Sequence, residues 1–176
     1  MDRKMKEERG FTLVEMMVVV SITVLLLAWA VPSYSTWKKK HDIENQMVQL
    51  YSDLQFGRMT AYGSKVVSGI LWGGGASFSS YQIMTDTTNQ GFISSNSTQI
   101  GATVHVGLKV PPIIAAPANQ SDVMFDGRGF LYSSAGTPPP ITFYVTPSSG
   151  AAMDCVAVTS TRITLGKMNG GSCSPK

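Results

Sequence analysis

The feature that most constrains this chain is an apolar run, FTLVEMMVVVSITVLLLAWAV, from Phe11 to Val31, interrupted by one charged side chain, Glu15. A stretch of about twenty apolar residues spans the hydrocarbon core of a bilayer as a helix. A carboxylate inside such a segment costs on the order of 2.5–3.5 kcal/mol and marks a functional position by default. Glu15 lies near the start of the run, where snorkelling to the headgroups lowers that cost, so a tolerated interfacial acid is the bland reading. A second reading uses Ala28-Trp29-Ala30, a small-x-small site, with Met16–Leu27 as the hydrophobic region of an ordinary signal peptide. Cleavage after Ala30 releases a secreted soluble protein and leaves Gly10, Glu15 and the continuation of the helix without a role.

The pattern beyond the run extends the helix. Ile43, Met47, Leu50, Tyr51, Leu54, Met59, Ala61 and Tyr62 recur mostly at helical spacing, with Asp42, Glu44, Gln46, Gln49 and Asp53 between them. Gly63-Ser64 reads as the stop. Counted from Phe11, the helix runs about fifty residues, or roughly 75 Å. From Lys65 the signals become strands and turns: Val66–Trp72, Phe78–Met84, Thr103–Val110, Val123–Phe125, Phe130–Ser133, Ile141–Val145 and Cys155–Leu165. Asp126-Gly127 marks a hairpin. Gly73-Gly74-Gly75 and Pro138-Pro139-Pro140 mark loops. Thr85–Gly101, rich in Thr, Ser, Asn and Gln, reads as a surface loop with a short strand at Phe92-Ile93. The expected fold class is α+β, divided into a charged N-terminal stretch (1–10), an apolar helix (11–31), its amphipathic continuation (32–64) and a β-rich head (65–176).

The 176 residues suit one modest domain, and a net charge of +3 is not that of a dedicated nucleic-acid binder. Two cysteines, Cys155 and Cys173, follow a membrane-targeting segment; an even count there points to an oxidising compartment and a disulfide. Closing that loop stabilises the fold by roughly 3 kcal/mol on the chain-entropy estimate. His41 and His105 are isolated from carboxylates and cysteines at metal-ligand spacing. With no phosphate-cradling loop or nucleophile elbow either, no catalytic residue, metal or cofactor is expected. Basic residues flank the run on both sides (Arg3, Lys4, Lys6 and Arg9 before it, Lys38, Lys39 and Lys40 after), so charge alone favours a cytoplasmic N-terminus only slightly. The three lysines either contact anionic headgroups or end translocation of the helix.

The tract Arg9-Gly10-Phe11-Thr12-Leu13-Val14-Glu15 resembles the signal of type IV prepilins and pseudopilins: a short charged leader ending in Gly, then Phe, with Glu as the fifth residue beyond the cut. Pro32 matches the proline that kinks the long helix in that family. The resemblance implies that prepilin peptidase cuts between Gly10 and Phe11 and methylates the new amine. It also implies a pilin-like fold, in which the long helix packs on an antiparallel sheet, and an assembly role for Phe11 and Glu15. In that role Glu15 of one subunit neutralises the Phe11 amine of its neighbour, since an unpaired buried carboxylate is costly. The expected product is a non-enzymatic, single-pass inner-membrane subunit with a periplasmic head. Its partners would be other pilins or pseudopilins and the inner-membrane assembly platform of a pilus or type II secretion system. The tract Val123–Gly129, with Ile141–Val145 and Val156–Ile163, is similar to the GspH/FimT class of H-type pseudopilins and T-type minor pilins. There Thr161-Arg162 stands where members often carry Gly-Arg. Some T-type minor pilins are DNA receptors, which makes Arg162, Lys167 and Lys176 candidate nucleic-acid contacts.

Overall fold

The computed structural model describes residues 10–106, 111–134, 136 and 138–176, apart from the side chains of residues 29–33. Contacts divide the chain into two units, Met1–Trp37 and Lys38–Lys176, and one helix, α1 (Leu13–Ser64), contributes to both.

In the first unit, α1 is built from the apolar run. Its large apolar side chains from Leu13 to Leu27 are exposed. Ser21 and Thr23 donate their hydroxyls to the carbonyl oxygens of Met17 and Val19 at 2.7 and 2.8 Å. Their polarity is thereby satisfied inside the helix, which suits apolar surroundings. Among the described residues no helix is long and apolar enough to cross a membrane. Pro32, where a kink is expected, lies within the continuous helix α1.

In the second unit, the remainder of α1 buries Ile43, Met47, Leu50, Leu54 and Ala61. These alternate by four and three positions, a single stripe on a helix with 3.6 residues per turn. Gly57 falls in the same stripe because the sheet approaches closely there; a Cβ on it would lie 3.3 Å from the Cα of Gly69. The helix ends at the expected place by a different device. Lys65, not Gly63, takes the left-handed conformation (φ 60°) and donates its N–H to the Ala61 carbonyl.

Two antiparallel sheets complete this unit. In the first, β1 (Ser68–Trp72) runs between β3 (Ser80–Thr85) and β7 (Asp122–Phe125). β3 also carries β4 (Thr98–Gln99) and β5 (Val104–His105), and β7 carries β8 (Leu131–Tyr132). The second sheet takes β2 (Ser77–Phe78), β6 (Ile113–Ala116), β9 (Ile141–Tyr144), β10 (Cys155–Val158), β11 (Ile163–Asn169) and β12 (Ser172–Pro175). Their spatial order is β12-β11-β10-β9-β6-β2. The helix stripe, Ile70 and Tyr81 of the first sheet, and Ile113, Phe143 and Val156 of the second share one core. Trp72 stacks on Phe78 (5.1 Å between centroids) and meets the edge of Phe143 at 5.4 Å. A long helix on antiparallel strands is the α+β architecture expected from the sequence.

Several strand expectations change. Cys155–Leu165 is not one strand but the hairpin β10–β11, turned at Thr159–Arg162. The Thr159 Oγ1 accepts the Arg162 N–H at 3.2 Å and donates to its carbonyl at 3.0 Å. Phe78–Met84 breaks into β2 and β3, which join different sheets. Of Thr103–Val110, only Val104–His105 is a strand among the described residues; 107–110 lie outside them. Phe92-Ile93 is not a strand. Ile93 instead enters a second cluster with Met84 and Met124, and its N–H donates to the Met124 sulfur. Asp86 holds this loop: it is buried, and accepts from the Thr88 N–H and hydroxyl and, at 2.6 Å, from the Gly91 N–H.

Candidate functional site

The candidate site begins where the chain enters α1. Gly10 and Phe11 precede the helix, and a Cβ on Gly10 would meet none of the described residues within 4 Å, so their packing does not demand glycine there. Thr12 is the N-cap. Its Oγ1 accepts the Glu15 N–H at 3.2 Å, and its carbonyl accepts the Met16 N–H at the same distance. A Thr followed three residues later by Glu is a capping-box sequence, and a carboxylate in the first turn is favoured by the helix dipole. The capping role of Thr12 was open to sequence reasoning through this T-x-x-E spacing but was not drawn from it. Phe11 and Leu13 are 79% and 76% exposed, and the contiguous apolar face behind them exceeds what a soluble monomer ordinarily shows to water. Ala28-Trp29-Ala30 lies within the continuous helix, with the side chains of residues 29 and 30 outside the described set.

At the far end of the chain, Cys155 of β10 and Cys173 of β12 form a disulfide, with Cα atoms 5.9 Å apart. Beside it, Asp154 is 2% exposed and pairs with Lys167 at 2.7 Å. Asp154 also accepts the Met168 N–H, while the Lys167 ammonium donates to the Ala151 carbonyl and the Ser148 hydroxyl. The three basic residues singled out in the sequence all lie on β10–β12, in their connections or directly after them. Arg162 sits in the β10–β11 turn, Lys167 is engaged by the Asp154 carboxylate, and Lys176 follows β12, its N–H on the Leu165 carbonyl.

A cationic cluster of another composition appears at the end of α1. The β7–β8 hairpin loop is organised by Asp126, which accepts from the N–H groups of Arg128 and Phe130 and pairs with the Arg128 guanidinium at 2.8 Å. Partial burial opposes ionisation of Asp126, but these hydrogen bonds and the adjacent guanidinium outweigh it and hold its carboxyl below the usual range. Arg58 donates its Nε–H to the Gly129 carbonyl at 2.7 Å, and Lys65 reaches the Gly127 carbonyl at 3.3 Å. Gly129 has φ +80°, and a Cβ there would lie 3.5 Å from Arg58 Nε. His41 is exposed on α1 and His105 on β5, and no group of three metal-ligating side chains occurs among the described residues.

The long α1 helix and the antiparallel sheets of the head form an architecture of the type IV pilin-like class. Residues 5–31 match the prokaryotic N-terminal methylation motif. Two crystal forms of the type IV minor pilin FimU from Pseudomonas aeruginosa strain PAO1 are similar in structure. One is 17% identical, covering 78% of this chain and 96% of that one, with a TM-score of 0.52. The other is 18% identical, covering 74% and 96%, with a TM-score of 0.49. The likeness at 0.52 establishes the pilin fold. No curated protein matches the chain.

Proposed function

We infer that the chain is a minor pilin or pseudopilin: a structural subunit processed by prepilin peptidase between Gly10 and Phe11, then assembled with other pilin-type subunits. The observation carrying this reading is the methylation motif over residues 5–31. It coincides with a glycine that meets no described neighbour and an apolar helix face that no described residue of its own unit covers. Removing the leader creates a cationic amine at Phe11, four residues from Glu15. A subunit held in the membrane by its apolar helix can then pass into a fibre in which Phe11–Val31 helices bury one another. Glu15 of one copy neutralising the Phe11 amine of the next favours a single axial register. In this reading Pro32 kinks the helix, and the head lies on the periplasmic side of the inner membrane.

The test is the N-terminus of protein recovered from its native host. A mature chain beginning at Phe11, with Gly10→Val leaving full-length precursor, is the expected outcome. A mature chain beginning at Val31 would establish the secreted soluble alternative. The nucleic-acid alternative has less support, because Lys167 is engaged by the Asp154 carboxylate.

A further inference from the structure

The end of α1 and the β7–β8 hairpin enclose a groove of about 380 Å³, lined by Gln55, Arg58, Met59, Tyr62, Arg128 and Gly129. Met59 and Tyr62 are 72% and 60% exposed, and exposed Phe56 lies one turn before them. The helix thus carries a second apolar stripe beside the one that faces the core. Three cations converge here. Arg58 forms no ion pair among the described residues, its Nε–H being fixed on the Gly129 carbonyl. Lys65 lies over the Tyr62 ring at 3.9 Å, and Arg128 over Phe130 at 5.7 Å. Against them stands one carboxylate, Asp126, so the patch keeps an excess of positive charge on a rigid frame.

We propose that this groove docks a carboxylate-bearing, apolar segment of a different pilin-type subunit; the partner's class rests on the pilin reading above. Charge complementarity calls for an acid from the partner. Apart from Glu15, no acidic side chain among the described residues is more than half-exposed, Asp42 and Asp122 being intermediate. Asp53 accepts the Tyr81 hydroxyl, Glu44 the Ala152 N–H, and Asp86 and Asp154 are buried. In the pilin reading Glu15 is committed to the Phe11 amine, so a second copy of this chain offers the groove only its half-buried acids. Nucleic acid would use the cations and rings, but not the aliphatic wall at Met59, and it would meet Asp126 within the patch.

A photoreactive phenylalanine analogue placed at position 62 of the full chain in its native host tests this. The expected result is an adduct to a different pilin-type subunit, through a peptide carrying Asp or Glu beside apolar residues. Its yield should fall about tenfold in Arg58→Gln/Arg128→Gln and persist in Arg58→Lys/Arg128→Lys. Adducts to another copy of this chain, to lipid or to nucleic acid overturn the proposal. So do no adduct at all and a yield indifferent to the charge substitutions. N-terminal sequencing of the same sample separates the two readings. Phe11 at the terminus without the adduct removes only the groove, whereas any other terminus removes the pilin reading.

Discussion

A carboxylate and a phenol in the head show how local surroundings decide the state of a single residue. Burial of Asp86 pushes its pKa upwards, yet the Thr88 hydroxyl and the backbone N–H groups of Gln90, Gly91 and Thr88 together overcome this, and the net direction is down. A folded-state value below the unfolded one contributes stability that is present above the unfolded pKa of about 3.9 and is lost as pH falls through the folded value. Asp86→Asn is therefore expected to lower the urea midpoint at pH 7 and to narrow the gap between midpoints at pH 7 and pH 3. Equal loss at both pH values would show that the charge is immaterial. Tyr81 moves in the opposite sense from its ordinary range. Burial raises its pKa first, and the hydrogen bond to Asp53 and that carboxylate's charge add to the shift. Its hydroxyl is therefore held neutral as the donor to Asp53.

At the scale of elements, the helix was legible because 3.6-residue periodicity persists from Ile43 to Ala61, while the strands were legible only where apolar and polar residues alternate. The β10–β11 turn carries neither Gly nor Pro, and its geometry comes from one Thr159 hydroxyl, so no punctuation separated the two strands. β6 follows two prolines, and β12 is mostly exposed and polar, held by its partner strand and the disulfide. The cationic groove was illegible for a related reason. Arg58 and Arg128 are far apart in sequence, and only the hairpin's approach through Gly129 brings them together. Gly10, Phe11 and Glu15, by contrast, lie within one short tract and were readable directly. Leu54 is fully buried in the helix stripe, so Leu54→Ala is expected to destabilise the head by about 2–5 kcal/mol. Urea unfolding followed by the near-ultraviolet signal of the Trp72 cluster checks this; a change under about 1 kcal/mol would mean the stripe is not part of the cooperative core.

Across the molecule, the two units divide the work: an apolar helix whose large side chains lack a cover of their own, and a head whose core is complete. The disulfide belongs to the head alone. Cys155→Ala/Cys173→Ala is expected to lower head stability by about 2–4 kcal/mol, and reductant to do the same to the unmodified chain but not to the variant. The bridge also joins strands that are not neighbours, since β11 lies between β10 and β12. Tension applied near the C-terminus of a subunit would therefore bypass the hydrogen bonds that would otherwise peel β12 off one at a time. The load would pass covalently to an inner strand flanked on both sides, where rupture requires the sheet to shear as a block.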